Sequence, residues 1–178
     1  MAIIHPLVLQ LKFTRSEFMR GLKGLSEEDA VRRLLPMNCI SWNIGHLAWQ
    51  EQRYFLHYGQ GLMPFPEVQK AFAYGAPAST PTLRDVLSYW KKITQEADPW
   101  LDSLTTMSLQ EFILKKDGTA SERMIGNMLQ RVIYHYWYHN GENAAIRQML
   151  GHTSLPQFVG NIDDQAPYLP EQVQRTGN

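Results

Sequence analysis

Four long stretches of this chain carry apolar residues at helical spacing, and connections containing glycine and proline separate them. Residues three or four positions apart lie on the same side of a helix, so each stretch can bury one side against another. The predicted helices cover about residues 6–22, 41–57, 82–104 and 122–150. Leu11, Phe18 and Leu22, for example, fall near one face of the first helix. This pattern predicts an all-α protein.

Several residues are typical of the ends of these helices. Ser41 and Ser121 are predicted as the N-caps of the second and fourth helices, because a serine side chain can accept a bond from a free backbone N–H there. Gly151 is expected to end the fourth helix. Pro99 lies inside the third pattern and predicts a kink or break just before it.

The connections differ in length and character. Ser26 can cap a short helix over Glu27–Leu35. Gly59–Pro81, between the second and third helices, is predicted as a long loop, and a loop of that length is usually functional or mobile. Ser108–Gly118 is either a short hairpin or a plain connection, with a turn signal at its end. The tail, residues 152–178, contains three prolines and is expected to be largely irregular.

Composition narrows the class of protein. The 178 residues suit a single domain, 1–178, and the 17 basic side chains equal the 17 acidic ones. A net charge of zero argues against nucleic acid or an anionic membrane as the main partner. No segment approaches the roughly 20 apolar residues that span a bilayer. Cys39 is the one cysteine, so no internal disulfide can form, and a cytoplasmic location is expected.

The most informative polar residues are two histidines in the predicted fourth helix. His135 and His139 are four positions apart, so their imidazoles lie one turn apart and can share a metal ion. They share a stripe with Arg131 and Glu142, and aromatic residues surround them. His46 in the second helix is a third candidate ligand. A surface pair that binds nothing is the alternative that the spacing alone leaves open.

Three motifs together resemble the DinB/YfiT-like superfamily. They are Trp-x-x-Gly-His-Leu-Ala at Trp42–Ala48, His-x-x-x-His-x-Gly from His135, and Ile-Arg-x-x-Leu-Gly at Ile146–Gly151. The resemblance implies a four-helix bundle, frequently a homodimer, that binds a divalent transition metal through His46, His135 and His139. Nickel and zinc are the expected metals, with iron as a further candidate. It also implies a metal-dependent hydrolase, or a transferase that uses a thiol such as bacillithiol or mycothiol, acting on a small molecule.

Glu142 is the main departure from that family pattern, because many relatives have glutamine at this position. It lies on the ligand face and is a candidate catalytic residue. Three roles are open: a fourth ligand, an acceptor for an imidazole N–H, or a general base. The alternative without a functional role is a surface glutamate paired with Arg131 or Arg147.

Other polar residues are weaker candidates. Glu51 is five positions from His46 and therefore about 140° around the helix, which weakens it as a ligand. Cys39 is expected to be a small buried residue rather than a nucleophile. Histidines without a partner at helical spacing are expected at the surface or at helix ends: His5, His57 and His152. Two non-enzymatic functions stay open: a dimeric bundle with a structural metal, and a helical interaction domain without one.

The larger apolar side chains are expected to build the core. The methionines predicted to fill core gaps are Met107, Met124, Met128 and Met149. The tryptophans are expected to be mainly core residues, and two of them, Trp42 and Trp49, flank His46 closely enough to wall a pocket.

Overall fold

The computed structural model describes residues 4–114, 118–157 and 159–169. Its helices are α1 Pro6–Gly21, α2 Glu27–Val31, α3 Ile40–Glu51, α4 Pro66–Phe72, α5 Leu83–Asp102, α6 Thr106–Leu109, α7 Ile125–Met149 and α8 Ile162–Gln165. A π-helical segment, Gln52–Tyr58, continues α3. The strands β1 Phe112–Leu114 and β2 Ala120–Met124 form a small antiparallel hairpin. The predicted all-α class is confirmed, and the hairpin is the alternative observed near residues 108–118.

The four long helices predicted from the sequence pack around one apolar core. Helix α7 contacts α1 and α3, and α3 also contacts α5. Side chains close the remaining side between α1 and α5, where the rings of Phe18 and Trp90 are 6.2 Å apart. Fully buried core residues come from all four helices and include Leu11, Phe18, Ile44, Leu47, Ile93, Leu101, Leu129 and Val132. None of the helices in the described part of the chain is long and apolar enough to cross a membrane.

Two predicted N-caps are wrong. Helix α3 begins at Ile40 with Cys39 as its N-cap, so Ser41 lies in the first turn, where its hydroxyl oxygen is 3.2 Å from the Cys39 sulfur. Helix α7 begins at Ile125 rather than near residue 122. Ser121 cannot cap it, because Ala120–Met124 pairs with β1 and is drawn into the hairpin. Pairing with a second strand overrides the local capping signal.

Two other predictions about helix ends have opposite outcomes. Gly151 has φ +91°, and the N–H of His152 bonds to the Arg147 carbonyl at 3.0 Å, so the predicted glycine stop is confirmed. The predicted break at Pro99 does not occur, since α5 continues to Asp102. Pro99 lies in the last turn of α5, where its missing N–H removes only one hydrogen bond near the helix end.

The long connection after the π-helical segment is more ordered than predicted. It contains α4, which buries Val68 and Phe72 against the core. The Gln52 side chain ties it down, because its amide donates to the Phe65 carbonyl and its oxygen accepts from the Phe65 N–H, both at 2.9 Å. This anchoring places α4 beside α3.

Several smaller features also differ from the sequence predictions. The short helix after Ser26 is capped as predicted but ends at Val31, not Leu35. Met128 is buried, whereas Met107 and Met149 are 73% and 57% exposed, so their predicted core role is wrong. The described residues of the tail, 152–157 and 159–169, include the one-turn helix α8 and are otherwise irregular. The turn residue Asp117 and residues 170–178 lie outside the described part of the chain.

Candidate metal centre

Helix α7 brings His135 and His139 together, as their spacing predicts. Their ring centroids are 4.5 Å apart, and the two Nε2 atoms are separated by 2.9 Å. Both residues lie in the middle of a 25-residue helix, so the backbone holds their relative position. The side chain of His139 is buried and that of His135 is partly buried. The pair therefore faces the interior rather than open solvent.

Helix α3 supplies the third imidazole. The His46 ring centroid lies 5.0 Å from that of His135 and 5.6 Å from that of His139. One ligand atom from each of the three histidines lies within 4.8 Å of the other two. Residues almost ninety positions apart in the chain thus converge on one point, and we refer to these three residues as the histidine cluster.

Gly45 allows Phe72 to pack closely against α3 next to the histidine cluster. A Cβ atom at this position would lie 2.6 Å from the Phe72 ring, which is shorter than the van der Waals contact distance of two carbon atoms. The absence of a side chain lets the end of α4 pack directly on α3. As a result the Phe72 carbonyl reaches Nδ1 of His46 at 2.7 Å.

Hydrogen bonds at Nδ1 of His46 and His139 leave Nε2 as the nitrogen of each ring that can bind a metal. His46 donates its Nδ1 proton to the Phe72 carbonyl, and His139 donates its Nδ1 proton to Glu142 Oε2 at 2.7 Å. A neutral imidazole that carries its proton on Nδ1 has a lone pair on Nε2. The Nδ1 atom of His135 is buried and has no hydrogen-bond partner among the described residues, and its Nε2 lies 2.9 Å from Nε2 of His139. This donor set fits a divalent transition metal.

Burial favours the neutral form of His135 and His46. Burial lowers the pKa of His135 to about 3, with repulsion from His139 and His46 adding to the effect. The pKa of His46 is also lowered, mainly by burial. Trp42 and Trp49 stack on the His46 ring, with centroids 4.9 and 5.0 Å away, and so provide the pocket walls predicted from the sequence. Neutral imidazoles behind aromatic walls can offer lone pairs without first losing a proton.

Glu142 lies next to the histidine cluster and accepts hydrogen bonds. In addition to the His139 proton, its Oε2 accepts a hydrogen bond from Asn43 Nδ2 at 3.1 Å. The ion pair with Arg131 or Arg147 that was the alternative does not form in the described structure, where the hydrogen bonds to Glu142 come from His139 and Asn43. Arg147 instead donates to the carbonyls of Gly21, the last residue of α1, and Lys23, and to the His152 ring.

Asn43 is a site residue that the sequence analysis missed. Its Nδ2 donates to Asn143 Oδ1 at 2.9 Å as well as to Glu142, and both asparagines are buried. The available signal was a polar residue three positions before His46, on an otherwise apolar stretch of helix.

Glu51 belongs to a different hydrogen-bonded group, which contains none of the three histidines. It is fully buried and accepts hydrogen bonds from Arg15 and from the Tyr136 hydroxyl, the latter at 2.7 Å. The Tyr136 hydroxyl in turn accepts from the Trp90 indole N–H at 2.6 Å. Burial alone would lower the pKa of Arg15, but attraction and hydrogen bonding to Glu51 raise it instead. This buried ion pair was not foreseen, since its partners come from different helices.

The remaining candidates lie away from the cluster. Cys39 is fully buried, as predicted. The His5 ring accepts from the Leu7 N–H and so caps α1, and His152 accepts from Arg147 beyond the end of α7. His57 lies in the π-helical segment.

The fold and the cluster together define a helical protein with an internal three-histidine centre. In comparison with known families, residues 10–142 match the DinB superfamily, and this range contains the histidine cluster and Glu142. The chain belongs to the DinB superfamily. No curated protein matches it.

Proposed function

We propose that the protein is a metal-dependent enzyme that acts on a small molecule, with His46, His135 and His139 as the metal ligands. The observation that carries this proposal is the convergence of three buried or half-buried imidazoles whose Nδ1 protons, in two of the three, are already engaged elsewhere. Three protein ligands leave at least one coordination position for a substrate, as in catalytic sites. Imidazole ligands suit nickel or zinc, and iron is a further candidate.

Two reaction classes use such a site, hydrolysis and transfer of a thiol such as bacillithiol or mycothiol. A divalent transition metal supplies Lewis acidity that lowers the pKa of a coordinated water or thiol. Glu142 holds the Nδ1 proton of His139 and thereby keeps its Nε2 aimed into the cluster. Trp42 and Trp49 exclude water from both faces of His46. The hydrogen bond between Glu142 and His139 favours the acceptor role of Glu142 over that of a fourth ligand or base.

Elemental analysis of the untagged protein tests the metal site. We expect stoichiometric nickel, zinc or iron in the wild type and loss of that metal in the double variant His135→Ala, His139→Ala. His5→Asn is the matched control, because it removes an imidazole but keeps a side-chain oxygen that can cap α1. Equal metal content in the wild type and the double variant would contradict the proposal.

Three further measurements separate the two reaction classes from each other and from a structural metal. Turnover of small ester or amide substrates supports the hydrolase, whereas binding of a low-molecular-weight thiol to the loaded metal supports the transferase. If the metal were structural, chelation would unfold the bundle. We expect instead that the helical circular dichroism survives chelation, since the core is continuous and apolar. We also propose a homodimer, which light scattering would test.

A further inference from the structure

A groove of about 400 Å³ is lined by Trp49, whose ring also stacks on His46 of the histidine cluster. One wall is the end of α3 and the π-helical segment, with Trp49, Arg53 and Tyr58, and the other is α4 and the residue after it, with Gln69 and Ala73. Among the described residues, no acidic side chain lines the groove, so Arg53 gives it positive charge. A groove with aromatic walls and one fixed cation is suited to a small anionic molecule.

The guanidinium of Arg53 is held in place without a carboxylate. Its Nε donates to the Tyr58 hydroxyl at 3.0 Å, and its Cζ lies 5.3 Å from the Trp49 ring centroid and 5.4 Å from that of Tyr58. Within the described part of the chain, no acidic side chain pairs with it and its other N–H groups have no hydrogen-bond partner. An arginine fixed in this way can donate two parallel hydrogen bonds to an oxyanion.

Trp49 connects the groove to the histidine cluster. Its ring stacks on His46 with centroids 5.0 Å apart and also contacts Arg53, so a single indole separates the imidazole from the guanidinium. The indole N–H donates to Gln69 Oε1 at 2.7 Å, which fixes the ring between them. The α4 side of the groove is linked to the cluster through the backbone, because Ala73 lines the groove and follows Phe72, whose carbonyl accepts from His46.

We propose that Arg53 binds a carboxylate, or a similar oxyanion, at one end of a small substrate whose other end lies at the histidine cluster. This inference rests on the proposed metal-dependent function and adds to it a substrate class: molecules with an anionic group a few bonds from the reacting atom. The partly buried setting of Arg53 strengthens its interaction with an anion relative to an exposed arginine.

Two thiols of equal chain length test the proposal on protein loaded with cobalt(II). The probes are 3-mercaptopropionate, which carries a carboxylate, and 3-mercapto-1-propanol, which does not. The readout is the thiolate-to-cobalt absorption band, titrated in the wild type and in Arg53→Gln. We expect the variant to bind mercaptopropionate about tenfold more weakly, a loss typical of one charged hydrogen-bonded contact, and to bind mercaptopropanol as the wild type does.

Control variants separate this effect from loss of folding or of overall charge. Arg84→Gln removes the same charge from an exposed side chain on α5 and should leave both affinities unchanged. Arg53→Lys keeps the charge but not the two parallel donors, so it should show a smaller loss, again for mercaptopropionate alone. The thermal unfolding of Arg53→Gln and of Arg53→Lys is compared with that of the wild type.

The outcomes distinguish the two proposals. If the wild type takes up cobalt but Arg53→Gln weakens both thiols equally, or neither, the role of Arg53 is wrong and the metal site stands. If the wild type takes up no cobalt, the proposed metal site itself is contradicted, and the inference about Arg53 fails with it. If it takes up cobalt but neither thiol alters its spectrum, the metal site stands and the inference about Arg53 is wrong.

Discussion

Oε2 of Glu142 lies 2.7 Å from Nδ1 of His139, three residues earlier on the same helix, and accepts a hydrogen bond from it. Asn43 on α3 donates to the same carboxylate oxygen at 3.1 Å, so two helices meet at this atom. A carboxylate in this position fixes both the tautomer and the direction of the imidazole. Glu142 is therefore expected to act on metal binding through His139.

Replacing Glu142 tests this arrangement directly. We expect Glu142→Ala to weaken metal affinity by about 10- to 100-fold, the range found when such supporting carboxylates are lost. Glu142→Gln, which keeps a neutral acceptor oxygen, should have a smaller effect. Affinity is measured by competition with a chelator of known strength, and Glu96→Gln on the exposed face of α5 is the control. An unchanged affinity in Glu142→Ala would show that the hydrogen bond does not support the metal site.

Gly45→Ala is expected to destabilise the protein although alanine favours helices. The new Cβ would lie 2.6 Å from the Phe72 ring, so this ring must shift relative to α3, and we expect the shift to disturb the hydrogen bond from His46 to the Phe72 carbonyl. Overpacking of this kind costs about 1–3 kcal/mol, and a lower metal affinity should accompany it. Urea unfolding measures the first effect and chelator competition the second.

Gly141→Ala provides the comparison for that experiment. A Cβ at Gly141, within α7, has no neighbour within 4 Å. The same substitution should therefore stabilise the protein, by up to about 1 kcal/mol through helix propensity. If both variants had the same effect, the close contact between α3 and Phe72 would not explain the need for glycine at position 45.

The buried ion pair between Arg15 and Glu51 should be among the most sensitive points of the fold. We expect Glu51→Ala to lower the free energy of unfolding by about 3–5 kcal/mol, because it leaves the Arg15 guanidinium buried without its main partner. Asp102→Ala, which removes the partly exposed pair with Lys12, should cost less than about 1 kcal/mol. Chemical denaturation of both variants measures the difference, and similar losses would argue against burial as the cause.

The contact between Glu17 and the tail should make stability depend on pH. The hydrogen bond from Arg20 lowers the pKa of Glu17 below its ordinary value of 4.5, and the N–H of Gly160 adds to this at 2.7 Å. A carboxylate with a lowered pKa stabilises the fold above its unfolded pKa, and this contribution is lost as the pH falls through the folded value.

The expected result is a stability difference between wild type and Glu17→Gln that is full near pH 7 and shrinks below about pH 4.5. Denaturant unfolding at a series of pH values measures it. Arg20→Gln removes the main cause of the shift and should show the same trend. A difference that stays constant down to acidic pH would mean that ionised Glu17 contributes nothing specific.

Local spacing was sufficient to predict the helical class, the glycine stop at Gly151 and the pairing of His135 with His139. Each of these depends on neighbours within one or two turns, where backbone geometry alone sets the distances. The approach of His46 was expected from a family resemblance rather than from spacing. The start of α7 and the exposure of Met107 could not be predicted, because strand pairing and packing decided them.

Helical spacing along the chain is enough to predict four long helices and two imidazoles on the same side of one of them. The packing of separate helices sets the 5.0 Å approach of His46 to His135 and the hydrogen bond from His46 to the Phe72 carbonyl. These two contacts join residues that are far apart in the chain. Helix geometry fixes contacts between residues four apart, whereas contacts between separate helices depend on how the apolar faces pack.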